Sequence, residues 1–213
     1  MAQNGKGNIK EQKKRYRLKH PDKISGTNKR VNVKRRKEVI SHYSNGLLKC
    51  SRCGETHIEF LEVVCIDGET KIHSGTIRYS YLKSNGYPAG FIVLCSNCNL
   101  KRIRERARVK GLQGTYSERK YYRRSLNKLV DILEHYKTDD KIKCCCCGAE
   151  DKDTLCLDHK NGDGAQHRKI VSSAILYSWI IKNGYPGMFR LLCANCNQSL
   201  GSRGYCPHNT TIQ

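Results

Sequence analysis

Two stretches of the chain place apolar residues at helical spacing, IRYSYLKSN (77–85) and ILYSWIIKN (175–183), and each ends at an Asn-Gly pair that predicts a helix stop. Two further stretches, VNVKRRKEVISHY (31–43) and SERKYYRRSLNKLVDILEHYK (117–137), also read as helices. Short continuous apolar runs, FIVL (91–94) and FRLL (189–192), predict buried strands, each entered through a Gly-Tyr-Pro turn. CSNCNLKRIRERARVK (95–110) predicts a helix starting at its Cys-x-x-Cys turn. Residues up to about 32 show no periodicity and are expected to form a basic flexible arm. Trp179, the one tryptophan, aligns with Tyr81 and is expected in the core.

These elements occur twice. SNGYPAGFIVLCSNCN (84–99) aligns with KNGYPGMFRLLCANCN (182–197) at an offset of 98, and over 77–99 against 175–197, 13 of 23 positions are identical without a gap. Upstream, HYSNGLLKCSRCG (42–54) aligns with HYKTDDKIKCCCCG (135–148) after one inserted residue. Each copy therefore runs CxxCG, strand, polar loop, amphipathic helix, Gly-Tyr-Pro turn, strand, CxxCN. The expected organisation is an arm (1–32), a first module (33–110), a basic helical linker (111–134) and a second module (135–213).

Cysteine usage changes the picture from a weak core to a metal-braced one. The chain has 13 cysteines, and no apolar run in it is long enough to cross a bilayer. The opening MAQNGKGNIKEQKKRYR lacks the apolar centre of a signal peptide, so an intracellular, reducing location, in cytoplasm, nucleoid or nucleus, is expected rather than secretion. Close cysteine pairs in a reducing compartment read as thiolate metal sites. Cys50 and Cys53 with Cys95 and Cys98 form one set of four, and Cys144 and Cys147 with Cys193 and Cys196 form the other. Four thiolates favour tetrahedral zinc, so two structural Zn²⁺ ions are expected. Modules of this size with few aromatics need such a brace. The fold class that follows is α+β, small and zinc-stabilised. Glycine follows Cys147 as it follows Cys53, which leaves Cys145 and Cys146 spare along with Cys65, Cys156 and Cys206. These read as small buried apolar residues, with a third site using Cys206 and His208 left open.

The formal charge of +21 is uneven. Lys and Arg concentrate in residues 1–49 and 101–128, interleaved with Tyr16, Tyr116, Tyr121 and Tyr122, whereas the cysteine-bearing stretches are close to neutral. Basic stretches with tyrosines suit a nucleic-acid partner. The residues expected to meet it are Lys13, Lys14, Arg15, Arg17, Lys34, Arg35, Arg36, Lys101, Arg102, Arg104, Arg106, Arg108, Arg123 and Arg124, together with His167 and Arg168.

The copies differ where chemistry is expected. In LCLDHKNGDGAQHRK (155–169) the pair Asp158-His159 aligns with Val64-Cys65 of the first copy, whereas His167 keeps a counterpart in His73 and Asn197 in Asn99. A neutral histidine can take a proton from water near neutral pH. A carboxylate and an amide oxygen are hard ligands for Mg²⁺. Asp158 and Asn197 are thus candidates for one catalytic Mg²⁺ and His159 for the general base, while an asparagine after CxxC also suits a helix cap. For His167 and His73, structural, phosphate-contacting and catalytic roles all remain open.

CCCCG, LCLDHKNGDGAQHR and YPGMFRLLCANCN, covering about residues 135–201, resemble the His-Me finger endonucleases, also called HNH or ββα-metal nucleases. The likeness is to their zinc-bound branch, which includes recombination endonuclease VII and small phage HNH proteins. The resemblance implies Asp158 as metal ligand, His159 as base, Asn197 as second ligand, and Cys144, Cys147, Cys193 and Cys196 around zinc. It implies two tandem ββα-metal modules joined by a basic helical linker, the first one silent. The expected activity is Mg²⁺-dependent nicking of DNA, favoured over RNA, by a monomer or homodimer with no membrane partner. Phage or mobile-element roles fit by resemblance. The competing expectation is a non-catalytic zinc protein that docks on RNA, ribosomes or DNA. A transcription-type regulator would need 98–110 as a base-reading helix, and its Arg and Lys density suits phosphates better.

Overall fold

The structure is a computed structural model that describes residues 21–67 and 76–208. Helix α1 (Pro21–Tyr43) is followed by β1 (Leu61–Cys65), α2 (Thr76–Ser84), β2 (Phe91–Cys95), α3 (Ser96–Gln113) and α4 (Tyr116–His135). A single 3-10 turn (Lys152–Thr154) then leads into β3 (Leu155–His159), α5 (Gly164–Ile170), α6 (Leu176–Lys182), β4 (Phe189–Cys193) and α7 (Ala194–Arg203). The fold is mixed α+β with two sheets of two strands each, β1 with β2 and β3 with β4. No described helix is long and apolar enough to cross a membrane.

Helix α1 begins at Pro21, ten residues before the start expected from periodicity, so residues 21–32 are helix rather than arm. A proline can open a helix because its missing N–H is one a helix start leaves unpaired. Between α3 and α4 the break is sharp. Thr115 and Glu118 form a reciprocal capping box that starts α4 afresh.

The described residues divide into two compact units that cut across the repeat: those up to 48 with those from 65 to 91, and those from 49 to 64 with those from 92 onward. In the first unit Val39 and Ile40 of α1 and Leu82 of α2 are fully buried. Both cysteine sets and nearly all of both strand pairs lie in the second unit. Its core cluster is Ile132, Ile180 and Phe189, with Tyr136, Leu157 and Trp179 packed at the edge. Trp179 is therefore part of the core margin, whereas its counterpart Tyr81 is 44% exposed.

The sequence repeat is also a repeat of local contacts. His42 stacks on Tyr87 at 4.1 Å between ring centres, and His135 stacks on Tyr185 at 4.1 Å. Tyr43 Oη donates to the Pro88 carbonyl at 2.8 Å, and Tyr136 Oη to that of Pro186 at 2.7 Å. Tyr87 and Tyr185 both sit at positive φ, 57° and 56°, a conformation that costs a non-glycine residue about 1–3 kcal/mol and is held here by those ring contacts. One further contact joins the copies to each other. The Asn97 N–H donates to Asn195 Oδ1 and the Asn195 N–H to Asn97 Oδ1, both at 2.9 Å, between positions 98 residues apart. Equivalent residues exchanging equivalent bonds across α3 and α7 is the pattern of a two-fold interface within one chain.

Candidate functional site: two thiolate clusters and a split acid-histidine pair

The cysteine turns are alike bond for bond. The Cys50 N–H donates to the Glu55 carbonyl and the Cys144 N–H to that of Ala149, each at 2.8 Å. Gly54 and Gly148 close the turns at φ 77° and 76°, which a side chain would resist. In each set the four sulfurs lie within 4.8 Å of one another. Cys53 to Cys95 is 3.7 Å and Cys147 to Cys193 is 3.8 Å. A tetrahedron with Zn–S bonds of about 2.3 Å has edges of about 3.8 Å, so the donor sets fit zinc. All thirteen cysteines are free thiols. Hydrogen bonding from Cys95 pulls Cys50 down to about 4, and that from Cys147, Cys193 and Cys196 pulls Cys144 well below the thiol range. The same sharing raises Cys193 and Cys196. Cys95 and Cys193 are also the N-cap residues of α3 and α7, and Cys95 Sγ accepts from the Cys98 N–H at 3.4 Å. The asparagines after each CxxC do not cap.

Strand β3 runs antiparallel to β4, with Asp158 opposite Arg190 and His159 opposite Phe189. Neighbouring residues of a strand face opposite sides of the sheet. Asp158 therefore shares a face with Cys156, and there Asn197 Nδ2 contacts Cys156 Sγ at 3.1 Å. Cys156 and Asn197 also line an open pocket of about 490 Å³ with Glu62, Ser96 and Gln198. Asp158 Oδ2 accepts from Arg190 Nε at 2.7 Å, leaving Oδ1 as its second oxygen. A carboxylate and an amide on one face match Mg²⁺ in chemical kind, with water and substrate phosphate left to complete the shell. They share no hydrogen bond among the described residues, and Arg190 holds the carboxylate in their place.

His159 lies on the other face, 8% exposed, edge-on to Phe189 at 4.6 Å. Its Nε2 is 2.9 Å from His167 Nδ1, and the His167 ring meets Trp179 at 4.7 Å. Burial, and then the proximity of His167, pushes the His159 imidazole below its ordinary value, which keeps it neutral at pH 7. Gly164 opens α5 against the ring, and a Cβ there would stand 2.9 Å from His159 Nδ1. His167 Nε2 and Asp163 Oδ1 are buried without a hydrogen-bond partner. The structure thus gathers Asp158 and Asn197 on one side of the hairpin and His159 with His167 on the other. The pattern of alternating faces was available from the strand itself; Arg190, Asp163 and Gly164 were not singled out by it.

In the first copy the aligned Val64 is buried, and Cys65 Sγ donates to Asp67 Oδ1 at 2.8 Å. Asn99 is engaged on both sides, donating to Glu62 Oε1 and accepting from Arg102, each at 3.0 Å. His73 lies outside the described residues. The spare cysteines divide: Cys206 is buried, Cys65, Cys146 and Cys156 are half-buried, and Cys145 is exposed, which corrects its reading as a buried apolar residue. It falls in the knuckle turn beside Cys144, which is buried.

The basic residues also divide. Lys101 pairs with Asp151 at 2.8 Å and Arg108 with Asp153 at 3.6 Å. Arg104 donates to the carbonyls of Lys152 and Leu155, both at 2.8 Å. One side of α3 is therefore committed to clasping the turn that leads into β3. Arg35 donates to Ser80 at 2.7 Å and is half-buried. Lys34, Arg106, Arg123, Arg124 and Arg168 are exposed, and Arg36 is half-buried. Lys13, Lys14, Arg15 and Arg17 lie outside the described residues.

Comparison with known protein families, with curated proteins and with solved structures finds no match.

Proposed function

We propose that the chain is a Mg²⁺-dependent endonuclease of the His-Me finger type, built from two tandem zinc-bound modules of which only the second carries a working centre. The observation that carries this reading is the end of β3. There a carboxylate and a neutral, oriented imidazole stand side by side in sequence, where the sister copy has Val64 and Cys65. His159 Nε2 is engaged by His167, which leaves Nδ1 for the reaction, and Gly164 keeps that nitrogen from being covered by a side chain. His159 takes the proton of a water; the water oxygen bonds to phosphorus as the P–O3′ bond breaks, and solvent protonates the departing oxygen. Asp158 and Asn197 would hold Mg²⁺, which supplies positive charge to the scissile phosphate and leaving oxygen. Zinc braces the frame and takes no part in the chemistry. Arg106, Arg123, Arg124 and Arg168 offer exposed charge for phosphates, which gives affinity with little sequence choice. One centre per chain means nicking.

Two observations favour a non-catalytic nucleic-acid-binding role instead: His159 is 8% exposed, and Arg190 occupies Asp158. Incubating supercoiled plasmid and structured RNA with the protein, in Mg²⁺ or in EDTA, separates the two. Metal-dependent conversion of plasmid to open circles supports the nuclease. Retention of both nucleic acids without cleavage supports the docking protein.

A further inference from the structure

We propose that the second cysteine cluster is binuclear: a third zinc ion is held by Cys146, Cys206 and His208 and shares the Cys196 thiolate with the ion of the Cys144, Cys147, Cys193 and Cys196 set. Cys146, Cys196 and Cys206 bring their sulfurs within 4.8 Å of one another. His208 Nδ1 lies 3.4 Å from Cys196 Sγ. With Zn–S of about 2.3 Å and Zn–N of about 2.0–2.1 Å, the sulfur-to-nitrogen edge of a tetrahedron is about 3.5 Å, so this separation is that of two ligands on one ion. Three sulfurs and one imidazole nitrogen supply the four donors of a closed structural site; His208 also lies within 4.8 Å of the Glu55 and His57 donors, so its ring turns toward Cys146 and Cys206 as the ion binds.

The first copy cannot build this site. Arg52 stands where the second copy has Cys146. The other two ligands come from the segment after α7. Gly204, at φ 78°, ends that helix in the left-handed conformation and turns the chain back, and the Tyr205 carbonyl accepts from Ser199 Oγ at 2.8 Å. Cys206 is thereby buried to 3% exposure. The His208 ring also meets Phe60 at 4.7 Å, and Tyr205 Oη reaches Glu59 Oε1 at 3.3 Å. Those two residues belong to the turn just before β1, so an ion at this place pins the tail across both copies within the second unit. Filling the site releases one proton each from Cys146 and Cys206, and His208 enters neutral.

The test is the zinc content of the purified full chain, measured by mass spectrometry of the metal together with the intact protein mass. The proposal expects three ions per chain in the wild type. Cys206→Ser and Cys146→Ser are each expected to hold two, with an unchanged circular dichroism spectrum, while His57→Ala keeps three. Two ions in the wild type overturn the proposal, as does a mass lower by two hydrogens, which would mean a Cys146–Cys206 disulfide. A fall to one ion in both serine variants also overturns it, because these thiols would then belong to the knuckle's own ion. Loss of the third ion in His57→Ala overturns the ligand set. None of these outcomes depends on whether the chain cuts DNA.

Discussion

Gly164→Ala separates catalysis from folding at a single methyl group. An alanine Cβ at this position would lie 2.9 Å from His159 Nδ1 and 3.4 Å from its Cε1, where ordinary contact begins at 3.4 Å. The ring must therefore retreat by about 0.5 Å. A displacement of about 1 Å at a reacting group can cost about 100-fold in rate, so half of it is worth about tenfold, or about 1.4 kcal/mol of activation free energy. The backbone does not resist the change, since Gly164 is helical with no positive φ. Alanine favours helix over glycine by up to about 1 kcal/mol, which offsets part of the about 1–3 kcal/mol that crowding the buried ring costs, so stability falls by at most about 2 kcal/mol. The assay pairs plasmid nicking rates at saturating Mg²⁺ with thermal melting of the same preparations. A tenfold slower variant that still melts cooperatively, at an equal or modestly lower temperature, agrees with Nδ1 as the working nitrogen. Full activity would refute the placement of His159, and loss of the cooperative melt would refute the account of Gly164.

Asn97→Ala and Asn195→Ala should each lose about 1–3 kcal/mol in urea melts at saturating zinc, by similar amounts, because each leaves one N–H of the reciprocal pair unanswered. A neutral result for one of the two contradicts the two-fold reading. Arg190→Gln removes the cation that holds Asp158 Oδ2, and the Mg²⁺ concentration for half-maximal nicking should fall; a rise would show that Arg190 serves the substrate instead. Thr115→Ala should cost about 1 kcal/mol through loss of the α4 cap, with zinc content and nicking unchanged.

The sequence carried the framework well because its strongest signals are local. Paired cysteines, a following glycine and a gapless repeat specify the knuckles, and the structure places both sets within bonding reach of one ion each. Helices ending at Asn-Gly and strands ending at cysteine were legible for the same reason. The relations between elements were harder to read. Periodicity could not reveal that Arg104 and Lys101 clasp the Asp151–Leu155 turn, because an arginine bound to a carbonyl and one bound to a phosphate look alike in sequence. The start of α1 was missed because residues 21–30 are polar and give no apolar stripe. Asp158 and His159 are neighbours in the chain, and strand alternation, which the sequence also carries, sets their side chains on opposite faces of the hairpin. The role of Arg190 follows from that same register.

The most direct measurement compares the wild type with His159→Ala for two quantities, nicking rate and affinity for the same plasmid, in Mg²⁺. The account predicts that nicking falls by about 100-fold or more while affinity stays within about twofold, since a general base contributes about 10²–10⁴ to the rate and the exposed arginines carry the binding. Equal nicking in both proteins, or no Mg²⁺-dependent nicking in either, would contradict it.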